Sequence, residues 1–175
     1  MQKKAIIVGA GLAGSLWAIY LAKAGYKVKV YERRPDIREA EISAGKSINL
    51  ALSTRGWKAL EGAGIKSEVE EIAIPMPGRM MHDLAGNLTF QPYGKEGEAI
   101  YSVSRGHLNA IMMDLAEKSG DVEIFYNHKC IDANLEEGIV TVKSYKTGDV
   151  IEDMADVVFG ADGAFSAIRY NSFQK

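Results

Sequence analysis

The chain has 175 residues, of which 47% are hydrophobic and 25% are charged, and its formal net charge is −2. This length fits one ordinary domain with a buried core. A charge so close to zero excludes the basic footprint expected for a nucleic-acid partner or an anionic membrane surface. The single cysteine, Cys130, cannot form an internal disulfide, and no apolar run in the sequence is long enough to span a bilayer. These features predict a cytoplasmic α/β protein, with no membrane contact evident in this segment.

The first 32 residues predict a strand, a helix and a second strand. Ala5 to Val8 is a continuous apolar run, as expected for a strand that is covered on both faces. Leu12 to Ala24 is rich in alanine and leucine, and Gly25 provides a stop. Lys27 to Glu32 alternates between apolar and polar residues and predicts the second strand. A right-handed βαβ unit with parallel strands is the expected arrangement.

A glycine-rich turn joins the first strand to the helix and matches the pattern G-x-G-x-x-G. Gly9 permits the tight turn, Gly11 lets the backbone approach a pyrophosphate, and Gly14 lets the helix pack closely on the strand. Glu32 ends the second strand, where a carboxylate receives ribose hydroxyls, and it disfavours the 2′-phosphate of NADP. The alternative is a solvated glutamate at a strand end. The combination predicts a bound NAD or FAD.

The next segment predicts a loop over residues 33–46, a strand over 47–52 and a short helix over 53–64, with Trp57 and Leu60 facing the core.

Beyond residue 72 the pattern changes to short β-like pieces at 79–83, 88–91 and 100–103. The sequences between them, which include "PMPG" at 75–78, have turn chemistry. Antiparallel strands that stand off the parallel sheet are therefore expected.

A helix is predicted after Ser104, which is a plausible N-cap. Its apolar face is expected to contain Leu108, Ile111, Met112 and Leu115.

The last third of the chain predicts only strands before its final turn. Residues 122–126 form a buried strand, 129–145 a hairpin that turns at 136–138, and 150–154 and 156–160 two further strands.

A second glycine-bracketed strand end follows in "VVFGADGAFSAIR". The ordinary explanation is a strand-to-helix turn with an aspartate cap. Its position suggests instead that one extended ligand is gripped at two corners of the fold. The residues concerned are Asp156, Gly160, Ala161, Asp162, Gly163, Ser166 and Arg169.

Four blocks, "GKSINLALSTRG", "GRMMHDLAGN", "QPYG" and "SVSRGHLN", resemble the kynurenine 3-monooxygenases, a family of FAD-dependent aromatic hydroxylases. The resemblance covers almost the whole chain, and it explains the second glycine corner as a return to the phosphate side of the flavin. It implies FAD as cofactor, NADPH as co-substrate, O2 as oxidant, and L-kynurenine as a small-molecule substrate that becomes 3-hydroxykynurenine.

The resemblance also implies individual roles. Ala13 belongs to the turn that binds the pyrophosphate, and the four residues 31–34 surround the adenosine. Ala51 lies near the flavin, Arg105 reaches the cofactor, and the backbone of Cys130 contacts adenine. The predicted FAD-binding residues are Gly9, Gly11, Ala13, Gly14, Tyr31, Glu32, Arg33, Arg34, Ala51, Arg105, Cys130 and Asp162.

Arg79 and Tyr93 match the residues that hold the kynurenine carboxylate in the family. A guanidinium group fits a carboxylate bidentately, and a phenol can add a hydrogen bond. The two residues lie 14 positions apart on what should be adjacent strands, so they can face one site. Without the resemblance, an exposed arginine and a structural tyrosine would be the better interpretation.

The sequence thus predicts an α/β fold with a Rossmann-like FAD-binding βαβ unit and a mostly parallel sheet. Residues 1–70 and 101–175 are assigned to an incomplete FAD-binding domain, and 71–100 to part of a substrate-binding β region. The chain is expected to be an N-terminal fragment that binds FAD weakly and has little hydroxylase activity alone. No acid–base catalyst and no metal site is predicted.

Two alternatives remain open. One is another FAD enzyme of the same architecture, such as a different aromatic hydroxylase or an isoprenoid reductase. The other is a non-catalytic nucleotide-binding module.

Overall fold

The computed structural model of the chain describes residues 1–39 and 49–173. Within these ranges the chain forms two compact units: unit one comprises residues 1–39 and 109–173, and unit two comprises residues 49–108. The predicted division into FAD-binding and substrate-binding segments concerns function and stays a prediction. The strands are β1 (Lys4–Val8), β2 (Lys27–Glu32), β3 (Asn49–Leu52), β4 (Ile74–Met76), β5 (Gly78–His82), β6 (Leu88–Pro92), β7 (Ile100–Ser104), β8 (Val122–Tyr126), β9 (His128–Asn134), β10 (Ile139–Ser144), β11 (Val150–Met154) and β12 (Val157–Gly160); the helices are α1 (Leu12–Lys23), α2 (Thr54–Ala63), α3 (Lys66–Glu70), α4 (Arg105–Lys118) and α5 (Ala167–Phe173).

Unit one is built on a four-stranded parallel sheet in the order β12-β1-β2-β8. The apolar run from Ala5 to Val8 is buried on both faces of β1, which is typical of a strand inside a parallel sheet. Helix α1 connects β1 to β2, and Gly25, at φ +83°, follows its end. The predicted βαβ unit and the mostly parallel sheet are both confirmed.

A second sheet in unit one is an antiparallel meander in the order β11-β10-β9. Gly138, at φ +69°, lies in the turn between β9 and β10, within the predicted turn. One apolar cluster contains residues from both sheets and from α5, and so joins them into one core. Its buried members are Ile6, Val8, Tyr31, Cys130, Ala133, Val140, Val142, Ala155 and Ile168.

Unit two contains a three-stranded antiparallel sheet in the order β3-β7-β4 and the separate hairpin β5-β6. The predicted antiparallel strands are confirmed. The predicted strand over 47–52 is described only from Asn49 onward, and the predicted loop over 33–46 only as far as residue 39; the rest of both lies outside the described residues. Helix α2 ends at Gly64, which has the left-handed conformation expected of a glycine stop.

Two local predictions are wrong. The segment 75–78 was expected to be a turn, but Ile74–Met76 forms β4 and pairs with β7. Proline is tolerated there because β4 is an edge strand of its sheet.

The second error concerns half of the predicted apolar face of α4, since Leu108 and Met112 are buried as predicted. The buried hydrophobic residues of this helix are Leu108, Met112, Met113 and Ala116, whereas the predicted Ile111 and Leu115 are only partly buried. The predicted N-cap is confirmed, since the Ser104 hydroxyl accepts a hydrogen bond from the backbone N–H of His107 at 3.4 Å.

In the part of the chain that the structure describes, no helix combines the length and the apolar character of a membrane span.

Candidate functional site

The two glycine-rich corners lie side by side at one edge of the parallel sheet. β1 and β12 pair in parallel with Val8 opposite Gly160, so both strands end together. The backbone N–H of Ala161 donates to the carbonyl of Val8 at 2.7 Å. A Cβ added at Gly9 would lie 2.6 Å from the carbonyl oxygen of Ala161. The expected meeting of the early and late corners is therefore present within unit one.

Each glycine of the first corner has a different environment. Gly9 has φ +102°, which favours glycine, and its carbonyl oxygen would lie 1.9 Å from a Cβ at Gly14. Gly11 has an ordinary φ of −72°, and a Cβ there would find no atom within 4 Å. Packing therefore demands Gly9 and Gly14, whereas the space beside Gly11 is open to a ligand.

The start of α1 is suited to an anion. Gly11 is its N-cap and provides no side-chain hydrogen bond, and the following Ala13 is exposed. The first N–H groups of a helix carry partial positive charge and need acceptors. A pyrophosphate fits this open, uncapped helix start next to Gly11.

Glu32 is buried at the tip of β2, and its carboxylate accepts hydrogen bonds from Ala10 and Arg34. Oε2 accepts from the backbone N–H of Ala10 at 2.8 Å, and Oε1 accepts from the backbone N–H and Nε–H of Arg34 at 3.0 and 2.8 Å. Burial disfavours the charged form, but the hydrogen bonds from Arg34 and Ala10 outweigh it and hold the pKa of Glu32 below its ordinary value. The ionised carboxylate keeps acceptor capacity at Oε2 for a further donor, because the second contact to this oxygen, from Nη2 of Arg34, is 3.4 Å long.

The other residues predicted to surround the adenosine differ in the exposure of their side chains. Arg33 and Arg34 are exposed at the end of β2. Tyr31 is 2% exposed, and its hydroxyl donates to Asp153 at 2.6 Å. Burial, together with this bond, raises the pKa of Tyr31 above its usual range. Tyr31 contributes to the corner through its backbone, because its carbonyl accepts the N–H of Gly9 at 2.8 Å.

Asp162 accepts two hydrogen bonds from the start of α5. One carboxylate oxygen accepts from the Ser166 hydroxyl and the other from the backbone N–H of Ala167, each at 2.6 Å. These bonds fix the second corner at the start of α5. A direct contact between Asp162 and FAD stays a prediction.

Cys130 lies in β9 and is 4% exposed. Its thiol donates to the carbonyl of Asp132 at 3.3 Å. A role of its backbone in adenine binding stays a prediction, and its side chain belongs to the core of unit one.

We expect Cys130 to be unreactive in the folded chain. Burial raises the pKa of the thiol to about 11, so roughly one thiol in a thousand is ionised at pH 8. Ellman's reagent at pH 8 should label the protein slowly in native buffer and completely in urea. Full labelling of the native protein within minutes would contradict this burial.

Arg38, which no sequence motif predicts, anchors the segment after Glu32. The Arg38 guanidinium contacts Asp36, Asp114 and Glu117, each at 2.6 Å, and the hydroxyl of Tyr126 at 2.9 Å. The hydrogen bonds that Arg38 donates to Asp36 are the main cause of the raised pKa of Arg38. No local pattern pointed to this network, because its members come from the loop, α4 and β8.

In unit two, Arg79 and Tyr93 lie on the same face of the β5-β6 hairpin. Arg79 lies opposite Gln91, and the N–H of Tyr93 donates to the carbonyl of Pro77 just beyond the paired strands. The alternation along the strands thus puts Arg79, Gln91 and Tyr93 on the same side. The Gln91 side-chain oxygen accepts from Arg79 Nε at 2.8 Å and from Nη2 at 2.5 Å. Gln91 was missed as a candidate, although it lies in the "QPYG" block.

Tyr93 also lines a cavity of about 430 Å³ in unit two. Trp57 and Tyr101 line the same cavity and pack edge to face with ring centroids 5.1 Å apart. Lys66 and Glu70 add charged groups to its wall, and Arg79 does not line it. The cavity is therefore a concave surface with aromatic walls beside one of the two predicted substrate residues.

Ala51 and Arg105 are both exposed in unit two. Ala51 pairs with Ser102 between β3 and β7, and Arg105 is the first residue of α4. Their predicted contacts with the flavin stay predictions.

Comparison with known proteins also indicates an FAD-binding protein. The chain matches the family model described as "FAD binding domain" over residues 2–172. It is 53% identical over 167 residues to the kynurenine 3-monooxygenase of Flavobacterium johnsoniae, which covers 95% of this chain and 37% of that protein. It is 48% identical over 164 residues to the enzyme of that name from Myxococcus xanthus, which covers 93% of this chain and 35% of that protein. The chain thus spans little more than a third of the curated relatives that it matches, and their names confirm the resemblance.

Two solved oxygenase structures share the fold of this chain. 2-Methyl-3-hydroxypyridine-5-carboxylic acid oxygenase is 27% identical with a TM-score of 0.76, over 98% of this chain and 42% of that one. The flavin-dependent monooxygenase PieE, solved with FAD and substrate, has a TM-score of 0.82 over 99% of this chain and 32% of that one, and at 19% identity it shows the fold alone. The predicted FAD-binding fold is confirmed, and this chain belongs to the FAD-binding-domain family.

Proposed function

We propose that this chain is the FAD-binding part of a kynurenine 3-monooxygenase, whose whole protein hydroxylates L-kynurenine with FAD, NADPH and O2. The observation that carries the proposal is the pair of glycine corners side by side, with the open space at Gly11 and the buried carboxylate of Glu32 at the next strand tip. The names of the relatives supply the substrate.

Each part of the corner has a role in holding the dinucleotide. The uncapped start of α1 and the open side of Gly11 receive the pyrophosphate, and Glu32 receives a ribose hydroxyl through Oε2. Bound FAD supplies the redox chemistry, and the residues of this chain position it and exclude water.

On unit two, Arg79 and Tyr93 bind the substrate carboxylate. The guanidinium of Arg79 is oriented by the neutral amide oxygen of Gln91. A carboxylate competes well with that amide, because a charge-assisted bidentate pair is stronger than a bond to a neutral acceptor. The phenol of Tyr93, half exposed on the same side, can add a second bond.

Substrate-stimulated oxidation of NADPH by the whole gene product tests the function. We expect kynurenine to accelerate NADPH oxidation and to be converted to 3-hydroxykynurenine, whereas phenolic acids leave the rate low. Stimulation by a phenolic acid instead would indicate another FAD hydroxylase of this architecture. Nucleotide binding without turnover of any aromatic substrate would indicate a non-catalytic module.

Replacing Arg79 with alanine in the whole gene product should raise the KM for kynurenine while FAD stays bound. Loss of a charged hydrogen-bonding pair predicts roughly a 10- to 100-fold increase. Arg55→Ala is the matched control, because Arg55 is another exposed arginine of unit two. A KM for Arg79→Ala equal to that of the control would remove this role.

A further inference from the structure

The backbone N–H and the backbone carbonyl of Ala10, the residue before Gly11, are both hydrogen-bonded to side chains, which come from three elements. The N–H of Ala10 donates to Glu32 Oε2 of β2 at 2.8 Å. Its carbonyl accepts from the Ser15 hydroxyl of α1 and from Nδ2 of Asn109 of α4, each at 3.2 Å. All four residues are fully or almost fully buried within unit one. Both backbone polar groups of Ala10 are therefore restrained where the corner leads into the helix start.

The hydrogen bond from Asn109 to Ala10 is not needed for the stability of the fold. The residue is 7% exposed, and its Oδ1 has no hydrogen-bond partner among the described residues. Rotating the amide by half a turn would set Oδ1 against the Ala10 carbonyl, two acceptors facing each other, so the orientation is fixed. A buried acceptor without a donor is costly, and the carbonyl of Ala10 is already satisfied by Ser15.

We propose that Asn109 is a positioning residue for the dinucleotide-binding turn. By holding the Ala10 carbonyl, while Glu32 holds the Ala10 N–H, it restrains the Ala10–Gly11 peptide group, whose N–H precedes those at the start of α1. A turn that is already rigid loses less freedom when the ligand binds, and this raises affinity. The ligand in this inference is FAD and rests on the proposed function; the restraint on the turn does not.

Asn109→Leu tests the proposal, because leucine has a similar shape and no polar atoms. Two readouts are needed: amide hydrogen exchange of the ligand-free chain by NMR, and FAD affinity by equilibrium fluorescence titration. We expect exchange at Gly9 and Ala10 to become about tenfold faster and Kd for FAD to rise about tenfold, the factor that corresponds to one hydrogen bond. The melting temperature should stay the same or rise, because the unsatisfied acceptor is removed.

Two further variants serve as comparison and control. Ser15→Ala removes the other donor to Ala10 and should accelerate the same amides. Ser119→Ala removes a hydroxyl bond to the carbonyl of Ala116, away from the turn, and should change neither readout.

The outcomes separate this proposal from the function. Unchanged exchange at Gly9 and Ala10 in Asn109→Leu overturns the proposal, whatever happens to FAD. A general loss of protection with a lower melting temperature, in both Asn109→Leu and Asn109→Ala, overturns it as well and makes Asn109 a core residue. If the whole gene product shows no FAD binding, the FAD assignment fails, and faster exchange confined to the turn still supports the positioning role.

Discussion

Replacing Gly14 with alanine should destabilise unit one by about 3 kcal/mol or more, the upper range for overpacking a tightly packed site. The added methyl group would lie 1.9 Å from the carbonyl oxygen of Gly9 and 3.0 Å from its carbon. Both atoms are backbone, and Gly9 is itself held between Tyr31 and Ala161, so neither can move away cheaply. The melting temperature should fall by roughly 10 °C, measured by circular dichroism on the ligand-free chain.

Gly11→Ala is the matched control, because the same methyl group meets no atom within 4 Å at this position. The melting temperature should therefore stay the same, but the methyl group would occupy the space assigned to the pyrophosphate. We expect Kd for FAD to rise roughly 100-fold, which corresponds to about 2.7 kcal/mol. An intact affinity in Gly11→Ala would show that the pyrophosphate does not pass this residue. An unchanged melting temperature in Gly14→Ala would contradict the close packing of the corner.

The parts of the fold that the sequence predicted well are those that short-range geometry determines. The strand from Ala5 to Val8, the helix from Leu12 and the glycine corner between them follow from local spacing and apolar content, and the structure matches them within a residue. The same holds for the hairpin around Gly138. Even the parallel sheet follows from a local signal, because a strand, a helix and a strand in succession favour parallel pairing.

The errors arose where tertiary contacts decide. Helix α4 has apolar residues around most of its circumference, so its sequence allowed a stripe through Ile111 and Leu115 as well as the observed stripe through Met113 and Ala116. The segment at Pro75 was mistaken for a turn because edge pairing with β7 is not visible in four residues. Local pattern cannot choose between such alternatives.

The candidate site shows the same limit. Glycine spacing and the strand-end position were sufficient to predict Gly11 and Glu32, but Asn109 reaches Ala10 across 99 residues of sequence. Gln91 became visible as the partner of Arg79 only when the register of the hairpin was known. The residues that could bind a ligand were therefore predictable, whereas the residues that hold them in place were not.

Glu32→Gln should destabilise the ligand-free chain by about 3 kcal/mol at pH 7, as expected when a buried charged partner is removed from its hydrogen bonds. The new amide has one oxygen where the carboxylate has two. Either the N–H of Ala10 or the N–H groups of Arg34 would then face a donor instead of an acceptor. Glu123→Gln is the control, since Glu123 is exposed on β8 and its substitution should cost no more than about 0.5 kcal/mol.

The lowered pKa of Glu32 also predicts how the stability difference between wild type and Glu32→Gln changes with pH. The pKa of Glu32 is lower in the folded chain than its ordinary value of 4.5. As the pH falls, Glu32 is therefore protonated in the unfolded chain before it is protonated in the folded chain. The ionised carboxylate contributes its full stability at pH values above the pKa of the unfolded state. That contribution is lost as the pH falls to and through the pKa of the folded state. Urea unfolding should show a difference between wild type and Glu32→Gln that is largest at neutral pH and narrows below about pH 4.5. A constant difference from pH 7 to pH 3 would mean that Glu32 is not held in its ionised form, and the corner would then lack the charged carboxylate that we propose for binding the ribose.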